Sequence, residues 1–286
     1  MYDCIVVGSG VAGVSAALTL KANRKDFLLL GSPELSGKVA RAERILNYPG
    51  LSAVTGEEFR AALVRQLKDM EISVTDERVT GVYAMNGSFS LLTESGQAFE
   101  SRTVILTTGV EAVKPVPGET EFVGRGVSYC ATCDGFLYKG KTIAVVCTSA
   151  RFEHEAEYLY KLAGKVYFVP LYKSPADLGE KAEKIVKKPL RIEGGMRVEK
   201  LVFDDRELPV DGVFMLKESV SPAVLVGGLE TEEGHVRVHR DMSTNLKGLF
   251  AAGDCTGRPY QYAKAAGEGN VAAHSACDFL AGARKA

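Results

Sequence analysis

Cys4-Ile5-Val6-Val7-Gly8-Ser9-Gly10-Val11-Ala12-Gly13 is the stretch whose reading decides the fold. The apolar run predicts a buried strand, the G-x-G-x-x-G run a tight turn, and the residues beyond it a helix to about residue 23. Gly8 permits the turn, Gly10 lets the backbone approach a pyrophosphate, and Gly13 lets helix and strand pack closely. The helix N-terminus then offers N–H groups and partial positive charge to phosphates. The motif alone is weak; its place directly after a strand and at the opening of a helix makes it a dinucleotide corner. Gly8, Ser9, Gly10, Val11, Ala12 and Gly13 are therefore expected cofactor contacts. An acidic residue that could hold a ribose is missing at the end of the second strand, 27–30, where Gly31-Ser32 stands.

Outward from this corner, Thr55-Gly56-Glu57-Glu58 is a capping box opening a helix on which Phe59, Leu63, Leu67 and Met70 recur at helical spacing. Residues 79–107 change period. Asn86-Gly87 and Ser95-Gly96 are turn signals between short strands, and strand 103–107 ends at Thr107-Thr108-Gly109. Pro115, Pro117 and Gly118 mark a hinge. A second βαβ unit follows: strand 142–147, helix 151–163 closed by Gly164, and strand 165–171. A strand over 248–252 and a last helix from about Tyr262 complete the chain. The expected architecture is α/β, with two Rossmann-like three-layer nucleotide-binding domains, the second inserted into the first. Residues 1–113 and 240–286 would form one domain and 114–239 the other.

Composition narrows the function. A formal net charge of −1 over 286 residues gives no global attraction to nucleic acid or anionic lipid. No apolar run reaches the roughly 20 residues that span a bilayer, and Met1-Tyr2-Asp3 leads straight into a strand, so a cytoplasmic protein is expected. Of six cysteines only Cys130 and Cys133 form a C-x-x-C. In such a compartment that spacing points to redox or metal chemistry before a structural disulfide. A structural zinc would need two further ligands at close spacing, and no second C-x-x-C or histidine pair stands near Cys130 and Cys133 in the chain, so no metal is expected. Cys4, Cys255 and Cys277 read as buried structural cysteines.

Gly248-Leu249-Phe250-Ala251-Ala252-Gly253-Asp254 supplies a second cofactor signature, because an aspartate ending a strand can accept a hydrogen bond from a ribityl hydroxyl. With this run present, the chain resembles low-molecular-weight thioredoxin reductases along nearly its whole length. The matching stretches are Gly8–Gly13, Asn47-Tyr48-Pro49-Gly50, Thr107-Thr108-Gly109, Cys130-Ala131-Thr132-Cys133-Asp134-Gly135 and Ala251-Ala252-Gly253-Asp254. The resemblance implies a flavoprotein disulfide reductase that carries FAD, forms a homodimer and acts on thioredoxin. It implies that Cys133 is the flavin-facing sulfur, Cys130 the thiol that attacks thioredoxin, and Asp134 the acid that returns a proton. Thr108, Gly109, Gly253, Asp254 and Tyr262 would belong to the flavin site, Asn47 would lie beside the ring, and Gln261 would meet its pyrimidine edge. Tyr260 stands where the family has an arginine.

The second domain departs from the pattern. The family's G-x-G-x-x-A is here Cys147-Thr148-Ser149-Ala150-Arg151-Phe152, and its His-Arg-Arg is Pro170-Leu171-Tyr172. Loss of two charge-assisted contacts at roughly 1.5–3 kcal/mol each weakens NADPH binding by about 10² to 10⁴. Here the chain resembles the ferredoxin-dependent flavin thioredoxin reductases of clostridia, which implies reduced ferredoxin as the donor. Ferredoxins are usually acidic, and Lys38, Arg41 and Arg44 on loop 36–44 form an expected docking patch, with Lys181, Lys184, Lys187 and Lys188 as a competing one. Two other readings stay open. One is an NAD(P)H-dependent reductase with a divergent site built on Thr148, Ser149 and Lys173; the other is a flavin-loaded redox sensor with little turnover.

Overall fold

The computed structural model describes residues 1–40, 42–110, 115–129, 131–217 and 222–283, without the side chains of Lys38, Cys133 and Ala283. The chain forms two compact units. One comprises Met1–Thr93, Gln97–Val110 and Ser221–Ala286; the other comprises Glu94–Gly96 and Glu111–Val220, so the second interrupts the first. Residues from Pro222 to His239 thus belong to the first unit, whereas the sequence division returns to it at 240.

The first unit is built on parallel strands in the order Val74–Asp76, Phe27–Gly31, Tyr2–Val7, Ala98–Leu106. The free edge of Ala98–Leu106 is shared. Its first half pairs antiparallel with Ser88–Thr93, and its second half pairs parallel with Leu249–Ala251, Leu249 opposite Val104 and Ala251 opposite Leu106. The returning C-terminal segment therefore ends where Val7 and Leu106 end, at the carboxyl edge of the sheet where α/β folds carry their sites. Both hairpin turns read from the sequence are present, with Gly87 and Gly96 in the left-handed region at φ +85° and +81°. The capping box is formed as well: Glu58 N–H donates to Thr55 Oγ1 (3.2 Å) and Thr55 N–H donates to Glu58 Oε2 (2.7 Å).

Helices Val11–Ala22 and Tyr262–Ala283 cross in close contact. A Cβ on Gly269 would lie 2.2 Å from the carbonyl oxygen of Ala12, so only glycine fits there. Ser15 Oγ donates to the Ala266 carbonyl (2.6 Å) and Asn270 Nδ2 donates to Thr19 Oγ1 (3.0 Å). Buried Val6, Leu20, Leu29, Ile105 and Phe250 lie beneath this pair.

The second unit has a five-stranded parallel sheet in the order Ala182–Lys184, Lys165–Pro170, Thr142–Cys147, Gly212–Leu216, Val127–Ser128. Helix Glu153–Leu162 packs on it, and Arg191–Gly194, Val198–Val202 and Glu207–Pro209 form a separate antiparallel sheet. The helix expected from residue 151 begins as a 3₁₀ turn over Ala150–Phe152 and becomes α-helical at Glu153. Among the described residues, no helix is long and apolar enough to cross a membrane.

Candidate functional site

At the first corner the three glycines do different things. A Cβ on Gly8 (φ +113°) would lie 2.5 Å from the Thr107 carbonyl oxygen, and one on Gly13 would lie 1.9 Å from the Gly8 carbonyl oxygen. Both positions are closed by backbone. A Cβ on Gly10 would meet nothing within 4 Å, so the loop is open to a ligand at that point. Thr107 fixes the turn, its amide donating to the Val7 carbonyl (2.8 Å) and its hydroxyl to the carbonyls of Val7 and Gly8 (2.9 and 2.8 Å). No side chain caps the helix at Gly10, and its first turn carries no acidic residue, which leaves the positive end available to an anion. Val11 and Ala12 are buried in that turn.

The missing acidic residue has a local explanation. Ser9 Oγ donates to the Ser32 carbonyl (2.8 Å), and a Cβ on Gly31 would meet Ser9 Oγ at 2.6 Å. The glycine loop is tied directly to the end of the second strand, in the space where a larger residue at 31 would need to sit.

Ala252 N–H donates to the Leu106 carbonyl (2.9 Å), which brings Gly253 and Asp254 to the same edge as Thr107, Thr108 and Gly109. Buried Thr108 Oγ1 finds no acceptably placed hydrogen-bond partner among the described residues; the Cys255 thiol is its neighbour. Two residues that the sequence reading passed over hold the Gly253 loop. Glu268 Oε2 accepts from Gly253 N–H (2.9 Å) and Thr256 Oγ1 (2.8 Å), and pairs with Lys264 one helical turn away (3.1 Å). Lys264 Nζ donates to the carbonyls of Gly253 (2.9 Å) and Gly257 (2.8 Å). Spacing of i, i+4 on the last helix was the available signal, but such pairs are ordinary on solvated helix faces.

An aromatic series also went unread. The Tyr48 ring lies 4.8 Å from Phe59, and Phe59 lies 5.6 Å from Tyr262. The Asn47-Tyr48 segment is thereby anchored to helix Gly56–Asp69 and to the start of the last helix. Asn47 and Gln261 are exposed. The Tyr262 hydroxyl is held above its ordinary pKa by burial and then by the charge of Asp254. Tyr260, in the place of the family's arginine, bonds His235 Nε2 through its hydroxyl (2.6 Å) and lies under the Arg258 guanidinium at 5.5 Å. A guanidinium is thus present two residues before the expected position.

Asp134 ends the short helix Ala131–Asp134 and is half-buried. Cys133 belongs to that helix by its backbone, while its side chain and the whole of Cys130 lie outside the described residues. The apolar side chains that follow, Phe136 and Leu137, are 70% and 63% exposed.

The second corner has the same strand–turn–helix order and the opposite chemistry. Phe152 does not stand in the mouth of the turn; it is buried among Ile143, Val145, Ala156, Leu159 and Phe168, filling the space beneath the helix. Buried Cys147 directs its thiol to the Ser149 carbonyl (3.2 Å), and burial pushes its pKa up to about 11. The hydroxyls of the divergent site are engaged internally: Ser149 Oγ accepts from Arg151 N–H (3.3 Å), and Thr148 Oγ1 donates to the Leu216 carbonyl (3.2 Å). At the helix start Glu153 Oε1 accepts from the Tyr172 hydroxyl (2.8 Å) and from Ala176 N–H (2.8 Å). Glu153 and Glu155 put negative charge into the first turn, where a phosphate would otherwise be attracted.

Of the two basic patches, Arg41 and the Lys38 side chain lie outside the described residues, and Arg44 is exposed. The alternative patch is largely engaged. Lys187 pairs with Asp204 (3.0 Å) and Asp205 (2.9 Å), and Lys181 donates to the carbonyls of Tyr160 and Ala163 (3.1 and 3.4 Å). The four cysteines outside the C-x-x-C, Cys4, Cys147, Cys255 and Cys277, are free and buried.

Residues 2–269 match the family described as pyridine nucleotide-disulphide oxidoreductase. The chain is 32% identical to a thioredoxin reductase of Aquifex aeolicus, over 100% of this chain and 95% of that protein. It is 31% identical to a thioredoxin reductase of Treponema pallidum, over 98% and 97%. Among solved structures, it superposes on a ferredoxin-flavin thioredoxin reductase from Clostridium acetobutylicum with a TM-score of 0.89 and 44% identity, covering 100% of this chain and 99% of that one.

Proposed function

From the premise that this chain belongs to the low-molecular-weight thioredoxin reductase family of pyridine nucleotide-disulphide oxidoreductases, we propose that it reduces thioredoxin through FAD and the Cys130–Cys133 pair, with reduced ferredoxin as donor. The observation that carries the choice of donor is the contrast between the two corners. The first is open at Gly10, uncapped, and free of acidic residues in its first turn; the second carries the Ser149 side chain at the matching position, engages it with the Arg151 amide, and holds Glu153 and Glu155 in the first helical turn, Glu153 bonded to Tyr172.

The residues of the first corner suit FAD. Gly8, Ser9, Gly10, Val11, Ala12 and Gly13 would receive the pyrophosphate on main-chain N–H groups. Thr108, with its poorly satisfied buried hydroxyl, Gly109, Gly253 and Asp254 would meet the ribityl chain, and Asn47, Gln261 and Tyr262 the ring. FAD, when bound, supplies the conversion between one-electron and two-electron transfer that a ferredoxin and a disulfide require of each other. Residues 130–134 then act on thioredoxin: the Cys130 thiolate attacks its disulfide, and Cys133 resolves the mixed disulfide. Asp134 holds the proton that a departing thiolate takes up. Exposed Phe136 and Leu137, next in the chain, offer an apolar surface suited to a protein substrate.

Energetics permit the donor. A ferredoxin near −400 mV and a thioredoxin near −270 mV differ by about 130 mV, roughly 6 kcal/mol downhill for two electrons. Four free buried cysteines accord with a cytoplasmic protein, and a homodimer is part of the same reading. Anaerobic titration with NADPH, NADH and reduced ferredoxin, followed by flavin absorbance, tests it. Bleaching by ferredoxin alone is expected; rapid stoichiometric bleaching by NADPH would overturn the choice of donor.

A further inference from the structure

Within the second unit, a charged cluster is buried one residue before Cys130. Glu119 is fully buried, and its carboxylate is shared by three donors: Lys217 Nζ, the Tyr129 hydroxyl (2.7 Å) and the Val116 amide (2.8 Å). Lys217 is 5% exposed and also lies over the Tyr129 ring at 5.1 Å. Tyr129 and Lys217 are placed there by neighbouring parallel strands. Val127–Ser128 pairs with Gly212–Leu216, Val213 opposite Val127 and Phe214 opposite Ser128, so Tyr129 and Lys217 extend from adjacent carboxyl ends. Glu119 closes the cluster from the loop that leads into the first of those strands.

A buried ion pair is a poor way to gain stability, because well-packed apolar residues of similar volume do as well or better. What it does supply is direction: each charge accepts one arrangement of partners and rejects others. Here the arrangement fixes the ring and hydroxyl of the residue whose carbonyl carbon is bonded to the Cys130 nitrogen. We propose that Glu119 and Lys217 are positioning residues for the reaction of Cys130 with thioredoxin, acting through the Tyr129 hydroxyl to fix the residue that leads into the attacking thiol. The inference rests on the reading of Cys130 as that thiol.

The test uses the flavin-loaded, full-length protein. Tyr129→Phe keeps the ring under Lys217 and removes only the hydroxyl. The double variant Glu119→Gln with Lys217→Met removes both charges at similar volume. After dithiothreitol reduction, the rate of Cys130 alkylation by iodoacetamide is followed across pH by peptide mapping, alongside kcat and KM for thioredoxin. Tyr129→Phe is expected to shift the alkylation profile and lower kcat/KM by about tenfold, the change that one unit of thiol pKa produces, with unchanged FAD content. An unchanged alkylation profile and unchanged kcat/KM in folded Tyr129→Phe would overturn the proposal, whether or not the double variant folds. Peptide mapping of the oxidised wild type separates the two readings: without a Cys130–Cys133 disulfide, it is the assignment of the pair that fails.

Discussion

The Tyr172 hydroxyl donates to Glu153 Oε1 across 2.8 Å, joining the end of one parallel strand to the first turn of the helix on its neighbour. With Ala176 N–H on the same oxygen, the carboxylate stands at the helix N-terminus as an internal anion. Burial and the bond to Glu153 both hold the Tyr172 proton, so the hydroxyl remains the donor throughout the physiological range. Tyr172→Phe should destabilise the protein by roughly 1.5–3 kcal/mol, the worth of a hydrogen bond to a charged group, as read from urea unfolding. It should not create NADPH binding, since Ser149 still occupies the turn and Glu153 and Glu155 still put negative charge into the first helical turn; calorimetric titration with NADPH checks that half. Micromolar binding to the variant would show that the Tyr172–Glu153 bond itself excludes the nucleotide.

Glu268 is expected to govern retention of the cofactor from the second turn of the last helix. Its carboxylate orients Gly253 N–H and the Thr256 hydroxyl and offsets the half-buried charge of Lys264. Glu268→Gln keeps the shape and removes the charge, leaving Lys264 unneutralised among three backbone and hydroxyl oxygens. FAD affinity should fall by about tenfold, the equivalent of one charge-assisted contact at about 1.4 kcal/mol. The FAD released in mild chaotrope reports this directly. An unchanged release profile would restrict Glu268 to a structural role.

How much of this was legible depended on whether a residue's role is local. Gly8, Gly13 and the capping box of Thr55 and Glu58 were readable because the backbone demands them within a few residues of sequence. Leu249–Ala251, by contrast, takes its place beside Ala98–Leu106 across about 145 residues, and no periodicity announces that pairing. The same holds for Glu119 and Lys217, 98 apart in the chain, each of which looks like an ordinary surface charge until the fold buries it. That Phe152 stands where the family has alanine was legible; that its side chain turns inward was not, because the residues around it, Ile143 and Phe168 among them, form an apolar pocket that only the tertiary packing creates.

Electrostatic recruitment of an acidic donor can be assigned to one of the two basic patches by salt dependence. Lys187 is neutralised by Asp204 and Asp205, and Lys181 is held back by the carbonyls of Tyr160 and Ala163, so two of the four lysines are already engaged. Replacing Lys181, Lys184, Lys187 and Lys188 with glutamine should therefore leave flavin reduction by ferredoxin within about twofold of wild type. Replacing Lys38, Arg41 and Arg44 should slow it at low ionic strength and have a vanishing effect near 1 M salt, where the Debye length is about 3 Å. Stopped-flow rates over a salt series decide it; a slower reaction in the first variant alone would move docking to the second unit.

Reactivity of the remaining thiols has a definite pH signature. Burial pushes the pKa of Cys4 up to about 12 and those of Cys147 and Cys255 up to about 11, from an ordinary value of 9.0, and it raises Cys277 as well. In each case the folded state holds the proton more tightly than the unfolded chain. Their contribution to stability is therefore complete below pH 9 and is lost as pH rises from 9 through 11 and 12. At pH 7.5 an aromatic disulfide reagent should modify only Cys130 and Cys133 of the reduced native protein, and the other four after unfolding. The stability difference between wild type and Cys4→Ala should narrow above pH 9, by up to about 1.4 kcal/mol for each pH unit. Taking that difference cancels the lysines and tyrosines that titrate in the same range. A difference that stays constant from pH 8 to pH 11 would mean that the Cys4 thiol ionises in the folded core as readily as in the unfolded chain.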